Sequence, residues 1–227
     1  MNCGNLLRFA VSRLRSLPLK EKLLLCEVLS DPEDFAALCK SDLEQILQRH
    51  TRIKKWNPAE QLAEAAEDEK ALTRGDFNYT FYWDKDYPPL LREIFDPPFL
   101  LYFRGNLPDP EKPGLAVVGT RYPSGNGLRE AFRLGLEAGG SGIAVISGLA
   151  KGIDNAAHKG NTSGGGRSVA VLGCGIDFMY PRSSIPAAHE MLKAGGCVLS
   201  EYGPGTEPRK YNFPERNRII SGLARSV

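Results

Sequence analysis

Four short runs of almost uninterrupted apolar residues restrict the fold of this chain more than any other feature. They lie at 115–119, 143–147, 168–173 and 197–200, and helical spacing fills the gaps at about 127–138, 153–160 and 185–194. Strands this short and this apolar belong to a sheet covered on both faces, and helices between them mark parallel βαβ units. The expected fold class is therefore α/β, with a Rossmann-like, largely parallel sheet. Ligands of such sheets bind at the carboxyl ends of the strands, where the strand order reverses. Those ends read Gly119-Thr120-Arg121, Ser147-Gly148-Leu149-Ala150, Gly173-Cys174-Gly175 and Ser200-Glu201-Tyr202. Glycine at a strand end lets a phosphate reach backbone N–H groups, but any tight βα turn asks for the same residue.

The first half follows other rules. Residues 5 to about 50 hold apolar positions at helical spacing (Leu19, Leu23, Leu24, Val28), a helix start at Asp31-Pro32-Glu33, and a Ser41-to-Glu44 capping box. A further helix from Pro58 to about Thr73 is acidic on one face (Glu60, Glu64, Glu67, Asp68). Residues 1–75 are thus expected to form a small helical, SAM-like domain. Residues 76–114, rich in aromatics and proline, read as a lead-in and linker with one strand at 99–103. Residues 115–227 form the Rossmann-like domain.

Several functions are disfavoured. The turn 119–127 lacks the GxGxxG dinucleotide fingerprint, and no GxxxxGK[ST] signature occurs. Cys3, Cys26, Cys39, Cys174 and Cys197 are scattered without CxxC spacing, so neither a zinc site nor a disulfide framework is expected, and buried small residues are the simple reading. No apolar run is long enough to span a membrane, and Arg8, Arg13 and Arg15 break up any export signal, which leaves the cytoplasm as the expected location. The net charge is only +2, but residues 1–114 carry 16 Lys and Arg against 19 Asp and Glu, whereas residues 115–227 carry 13 against 8. A polyanion would be held by the basic half. Arg121, directly at a strand end, offers a forked cation suited to a phosphodiester, though a solvated surface arginine is the alternative.

A set of ordered blocks narrows the reading. They are Asp86-Tyr87-Pro88-Pro89-Leu90-Leu91, Asp96-Pro97-Pro98, Leu101-Tyr102-Phe103-Arg104-Gly105 and Val118-Gly119-Thr120-Arg121. Next come Ser147-Gly148-Leu149-Ala150-Lys151-Gly152-Ile153-Asp154 with Ala156-Ala157-His158, and Ala170-Val171-Leu172-Gly173-Cys174-Gly175-Ile176-Asp177 with Tyr180-Pro181. Leu199-Ser200-Glu201-Tyr202, Pro204-Gly205-Thr206, Asn212-Phe213-Pro214 and Arg216-Asn217-Arg218-Ile219-Ile220-Ser221-Gly222-Leu223 complete the series. From about residue 80 onward the chain resembles the DprA (Smf) family of bacterial DNA-processing proteins.

That resemblance implies a non-enzymatic, dimeric protein that binds single-stranded DNA, protects it and loads the recombinase RecA in natural transformation, with no cofactor and no catalytic residue. It places DNA over the basic mouth of the Rossmann-like domain, with Arg121, Lys210 and Phe213 on the family's contact positions. Together with the strand ends and the basic C-terminal stretch, the candidate DNA-binding set is Gly119, Thr120, Arg121, Ser147, Gly148, Lys151, Arg182, Arg209, Lys210, Phe213, Arg216, Asn217 and Arg218. A basic groove beside an aromatic platform is also the physical recipe for holding a single strand without sequence preference. Phe213 could instead be a core residue. Asp154, His158 and Glu201 are read as structural, with Asp154 orienting the turn before its helix. The family's domain continues past Ile220 with further strands and helices, so the sheet is expected to be incomplete at its C-terminal end and to lack any winged-helix appendage. Two alternatives remain: a nucleotide phosphoribohydrolase of the lysine-decarboxylase-like type, whose glycine-rich turn is matched only weakly by Gly164-Gly165-Gly166, and an interaction module that has lost DNA binding.

Overall fold

Helices at amphipathic spacing build the first unit, Met1–Asp76, and apolar strands build the second, Phe77–Val227. The computed structural model describes residues 4–75 and 77–227. In the first unit α1 (Asn5–Ser12), α2 (Leu19–Val28), α3 (Pro32–Ala37), α4 (Lys40–Leu47) and α5 (Pro58–Arg74) surround Leu7, Phe9, Leu25, Phe35 and Leu43. Asp31 caps α3 by accepting from the Asp34 N–H at 2.8 Å. The start of α4 differs from the Ser41-to-Glu44 box. Its N-cap is Cys39, whose N–H donates to Asp42 at 2.9 Å, and Glu44 accepts from the Thr51 N–H instead. On α2 burial falls on Leu25 and Cys26 while Val28 is half exposed, because three consecutive leucines leave the neighbouring helices to choose the inward face. The acidic face of α5 is partly turned inward, where Arg13 forks onto both oxygens of Asp68 at 2.9 and 2.7 Å.

The second unit runs β1 (Asn78–Phe81), α6 (Pro89–Arg92), β2 (Leu100–Gly105), β3 (Gly114–Ala116), α7 (Gly125–Gly140), β4 (Ala144–Ser147), α8 (Ile153–Ser163), β5 (Val169–Leu172), α9 (Ile185–Lys193), β6 (Cys197–Ser200) and α10 (Asn212–Leu223). Its six-stranded sheet has the order β1-β2-β6-β5-β4-β3, parallel from β3 to β6 and antiparallel through β2 and β1. Residues 78–81 and 100–105 of the aromatic lead-in thus supply two strands of this sheet. Aromatic side chains suit that role: Phe81 stacks on Trp83 at 5.2 Å and meets Phe99 edge-on at 5.9 Å.

The parallel strands advance in one direction, so right-handed crossovers put α7, α8 and α9 on one face. Val145 packs there with Ala138 and Ala157. The next residue, Ile146, points the other way, onto Ile219, Ile220 and Leu223 of α10 together with Tyr87 and Leu91. Burying each such aliphatic side chain contributes about 1.5–3 kcal/mol. After β6 the direction reverses. Helix α10 carries the chain back over the second face to the edge of β3, where Ser226 pairs in parallel with Leu115. The order-reversal crevice thus lies beside β3, at the turn that carries Arg121. In the second unit Cys174 and Cys197 are buried; in the first, Cys26 is buried and Cys39 is exposed, and Cys3 lies outside the described residues. Among the described residues no helix is long and apolar enough to cross a membrane.

Candidate nucleic-acid interface

The loops that leave β3, β4, β5 and β6 at their carboxyl ends gather on one edge of the sheet. Two buried charges lock them together. Asp154, in the first turn of α8, is almost fully buried and accepts three backbone N–H groups, from Gly119 at 3.2 Å, Gly148 at 3.1 Å and Ala150 at 3.4 Å. It thereby ties the end of β3 to the end of β4. Arg216, on α10, is 5% exposed and donates to the carbonyls of Gly148, at 2.9 Å, and Val171, tying β4 to β5. Burial pulls its guanidinium down to about 10, with the Asp154 carboxylate opposing that shift.

These contacts correct part of the expected site. The N–H groups of Gly119 and Gly148, read as phosphate donors, are engaged by Asp154. Gly148 is glycine for a different reason: a Cβ there would lie 2.6 Å from the Arg216 guanidinium carbon. Arg216 itself is enclosed, with its guanidinium engaged by the Gly148 and Val171 carbonyls. Ser147 is fully buried, and its hydroxyl donates to the Val117 carbonyl. Arg218 forks onto Glu201 at 2.9 and 2.6 Å and reaches Asp96 at 3.1 Å, so its charge is balanced within the fold. Asn217 is exposed, but its side-chain oxygen accepts from Arg216. Sequence reasoning missed these pairings because α10 carries Arg216 and Arg218 two positions apart, on different faces, and only the packed sheet shows what each of them meets.

What remains at the edge is cationic and aromatic. Arg121, Lys151, Arg182, Arg209 and Lys210 are all exposed, and among the described residues none of them forms an ion pair. Thr120 is exposed beside Arg121 and accepts from the Tyr122 N–H. Phe213 packs on Gly173, where a Cβ would approach its ring to 2.9 Å, and so stands half-buried at the carboxyl end of β5. Tyr180 lies 5.9 Å from that ring, and the Arg121 guanidinium sits over it at 5.3 Å. Cation and platform are therefore one unit, a coupling that no spacing in the sequence discloses across 91 intervening positions.

The groups that could pass for acid or base are held elsewhere. Glu201 faces Arg218. His158 is fully buried, with Nδ1 2.6 Å from Ser168 Oγ, and burial followed by the charge of Arg216 brings it down to about 3. Gly164-Gly165-Gly166 lies between the end of α8 and the start of β5, at the amino edge of the sheet and far from Arg121. Among the described residues no three His, Cys, Asp or Glu side chains are grouped to hold a metal ion.

Fold and edge together define an α/β protein of the Rossmann-like class, with a cationic, aromatic ligand edge. The family model of DNA recombination-mediator protein A matches residues 78–227, and the chain belongs to that family. Protein Smf of Synechocystis is 45% identical over 148 residues, covering 63% of this chain and 37% of that protein. DNA processing protein DprA of Streptococcus pneumoniae is 44% identical over 146 residues, covering 63% of this chain and 50% of that protein. Protein Smf of Borreliella burgdorferi is 32% identical over 217 residues, covering 96% and 68%. The chain thus spans half or less of the first two relatives. In structure it is similar to DNA processing protein A of Streptococcus pneumoniae, with a TM-score of 0.72 at 33% identity, covering 99% of this chain and 77% of that one. It is also similar to the Helicobacter pylori protein, which has a single-stranded DNA binding mode of its own, with a TM-score of 0.56 at 28% identity over 65% of this chain and 66% of that one.

Proposed function

We propose that this chain binds single-stranded DNA along the carboxyl edge of its sheet, without catalysing a reaction on it, and hands the strand to the recombinase RecA. The observation that carries the reading is the Arg121 guanidinium over the Phe213 ring, with Tyr180 beside it, together with Lys151, Arg182, Arg209 and Lys210, exposed cations that form no ion pair among the described residues. Cations neutralise the phosphates and the rings stack with bases, which only a single strand exposes. The engagement of Asp154, His158 and Glu201 in the fold supports binding without chemistry, and it weighs against a phosphoribohydrolase. Family membership supports RecA as the partner, a homodimer as the working form and action in the cytoplasm during natural transformation. A titration of fluorescent oligo-dT tests the first step. Affinity should exceed that for duplex of equal length by about tenfold or more, in line with about 1–3 kcal/mol of stacking per base, and free nucleotides should come through incubation unchanged. Equal affinity for duplex, or release of a base, would sink the proposal.

A further inference from the structure

Helices α7 and α8 pack backbone against backbone. Gly135 and Gly139 of α7 face Gly160 of α8 and Gly164 just past its end so closely that a Cβ on any of them would strike a carbonyl of the other helix: Ala157, Asn161, Phe132 and Leu136, respectively. With the backbones in contact, the larger side chains of α7 cannot be covered by α8. Leu128, Phe132 and Leu136, at successive four-residue steps on one stripe, remain 41%, 39% and 39% exposed. They line an open surface groove of about 890 Å³ together with Lys151, Asn155 and Lys159. Three cations of its rim, Arg129, Lys151 and Lys159, form no ion pair among the described residues, while Arg133 is balanced by Glu130 and Glu137. The groove is therefore apolar at its base and positive at its rim.

It is also continuous with the edge described above. Lys151 and Gly152 line it, and Gly152, held at φ +84°, lies so close to the Thr120–Arg121 backbone that a Cβ would meet the Thr120 carbonyl. The Ile153 N–H donates to that same carbonyl at 3.3 Å. Ser183, which follows Arg182, lines the groove from the other side.

We infer that the bound strand leaves the carboxyl edge past Lys151 and continues along the α7–α8 groove, with phosphates on Arg129, Lys151 and Lys159 and a base against Phe132. This rests on the reading of the edge as a single-strand site. Charge complementarity and the shared turn 151–152 favour a nucleic acid over an acidic amphipathic peptide, the other ligand that a basic-rimmed apolar groove would take.

Oligo-dT of two lengths tests it with the full chain. One is about 6 nucleotides, near the short end of single-strand site sizes, and the other is about 20. The wild type should bind the longer oligomer more tightly than statistics of overlapping sites allow. Lys159→Glu, at an exposed position, and Phe132→Ala should each weaken the long oligomer by about tenfold and leave the short one within twofold, with thermal melting of Lys159→Glu unchanged. Arg121→Ala should weaken both lengths. Full affinity of Lys159→Glu for the long oligomer overturns the groove path, as does equal weakening of both lengths by that variant. Capture of an acidic amphipathic peptide by the groove, with long-oligomer affinity unaltered by either groove variant, reassigns it to a protein ligand. Retained binding of the short oligomer by Arg121→Ala refutes the edge site instead.

Discussion

Two arginines at the carboxyl edge show how position decides what the same side chain does. Arg121 is exposed over the Phe213 ring, whereas Arg216 is buried among carbonyls. Replacing Arg121 by alanine should cost about 1.5–3 kcal/mol of DNA affinity, the range for hydrogen bonds to a charged group, and should leave thermal stability almost unchanged. Lysine should restore only part of the loss, since it cannot reproduce the fork. Because Arg121 and Phe213 touch, the losses from Arg121→Ala and Phe213→Ala should not add; a double-mutant cycle on oligo-dT affinity should show a coupling of about 0.5 kcal/mol or more. Strict additivity would mean that the contact plays no part in binding. Arg216→Ala should act on folding. It strips the Gly148 and Val171 carbonyls of their donor and leaves Asp154 without a nearby cation, at a cost of about 3–5 kcal/mol in denaturant unfolding. A normally stable Arg216→Ala protein with weakened DNA binding would show that the buried position had been misjudged.

At the scale of elements, α8 carries a pH dependence of the acid range, through His158. The Ser168 hydroxyl donates to the Val145 carbonyl at 3.0 Å, so His158 must donate to it from Nδ1, which fixes one neutral tautomer in a fully buried ring. In the unfolded chain the ring takes up a proton near pH 6.5, and in the folded protein it resists down to about 3. The unfolded state therefore binds more protons in that window, and stability is full above about pH 6.5. It should fall by up to about 1.4 kcal/mol per unit as the pH drops below that value. Chemical unfolding at pH 7 and pH 5 checks this: wild type should lose about 2 kcal/mol more than His158→Gln, and parallel losses would remove His158 as the cause. Elements were also the most legible scale in the sequence. The four apolar runs each gave a strand, and the role of Asp154 followed from its place in the first turn of a helix. The pairing of β2 with β6 was not legible, because residues 102–105 meet 197–200 across the whole of the intervening chain and no local pattern encodes so distant a partner. The enclosure of Ser147 and Arg216 was hidden for the same reason.

For the whole molecule, the chain is nearly neutral, yet residues 115–227 carry 13 Lys and Arg against 8 Asp and Glu. If the edge neutralises about 4–6 phosphates, log affinity should fall against log salt with a slope of about −3 to −4, at roughly −0.7 per contact for a single strand. Lys210→Ala should flatten that slope by one contact's share, while Phe213→Ala should lower affinity with little change of slope. A flat response in the wild type would exclude the cationic edge as the source of binding.

The two tryptophans are divided between the two units. Trp56 leans on Phe35 at 5.5 Å and donates to the Leu38 carbonyl, while Trp83 is flanked by Phe81 and Phe99. Each unit therefore carries its own intrinsic fluorophore in a ring-lined setting. With Trp56→Phe, emission reports only the sheet, and with Trp83→Phe only the helical unit. The chain can thus reveal through its own light, without any attached dye, which of its parts gives way first.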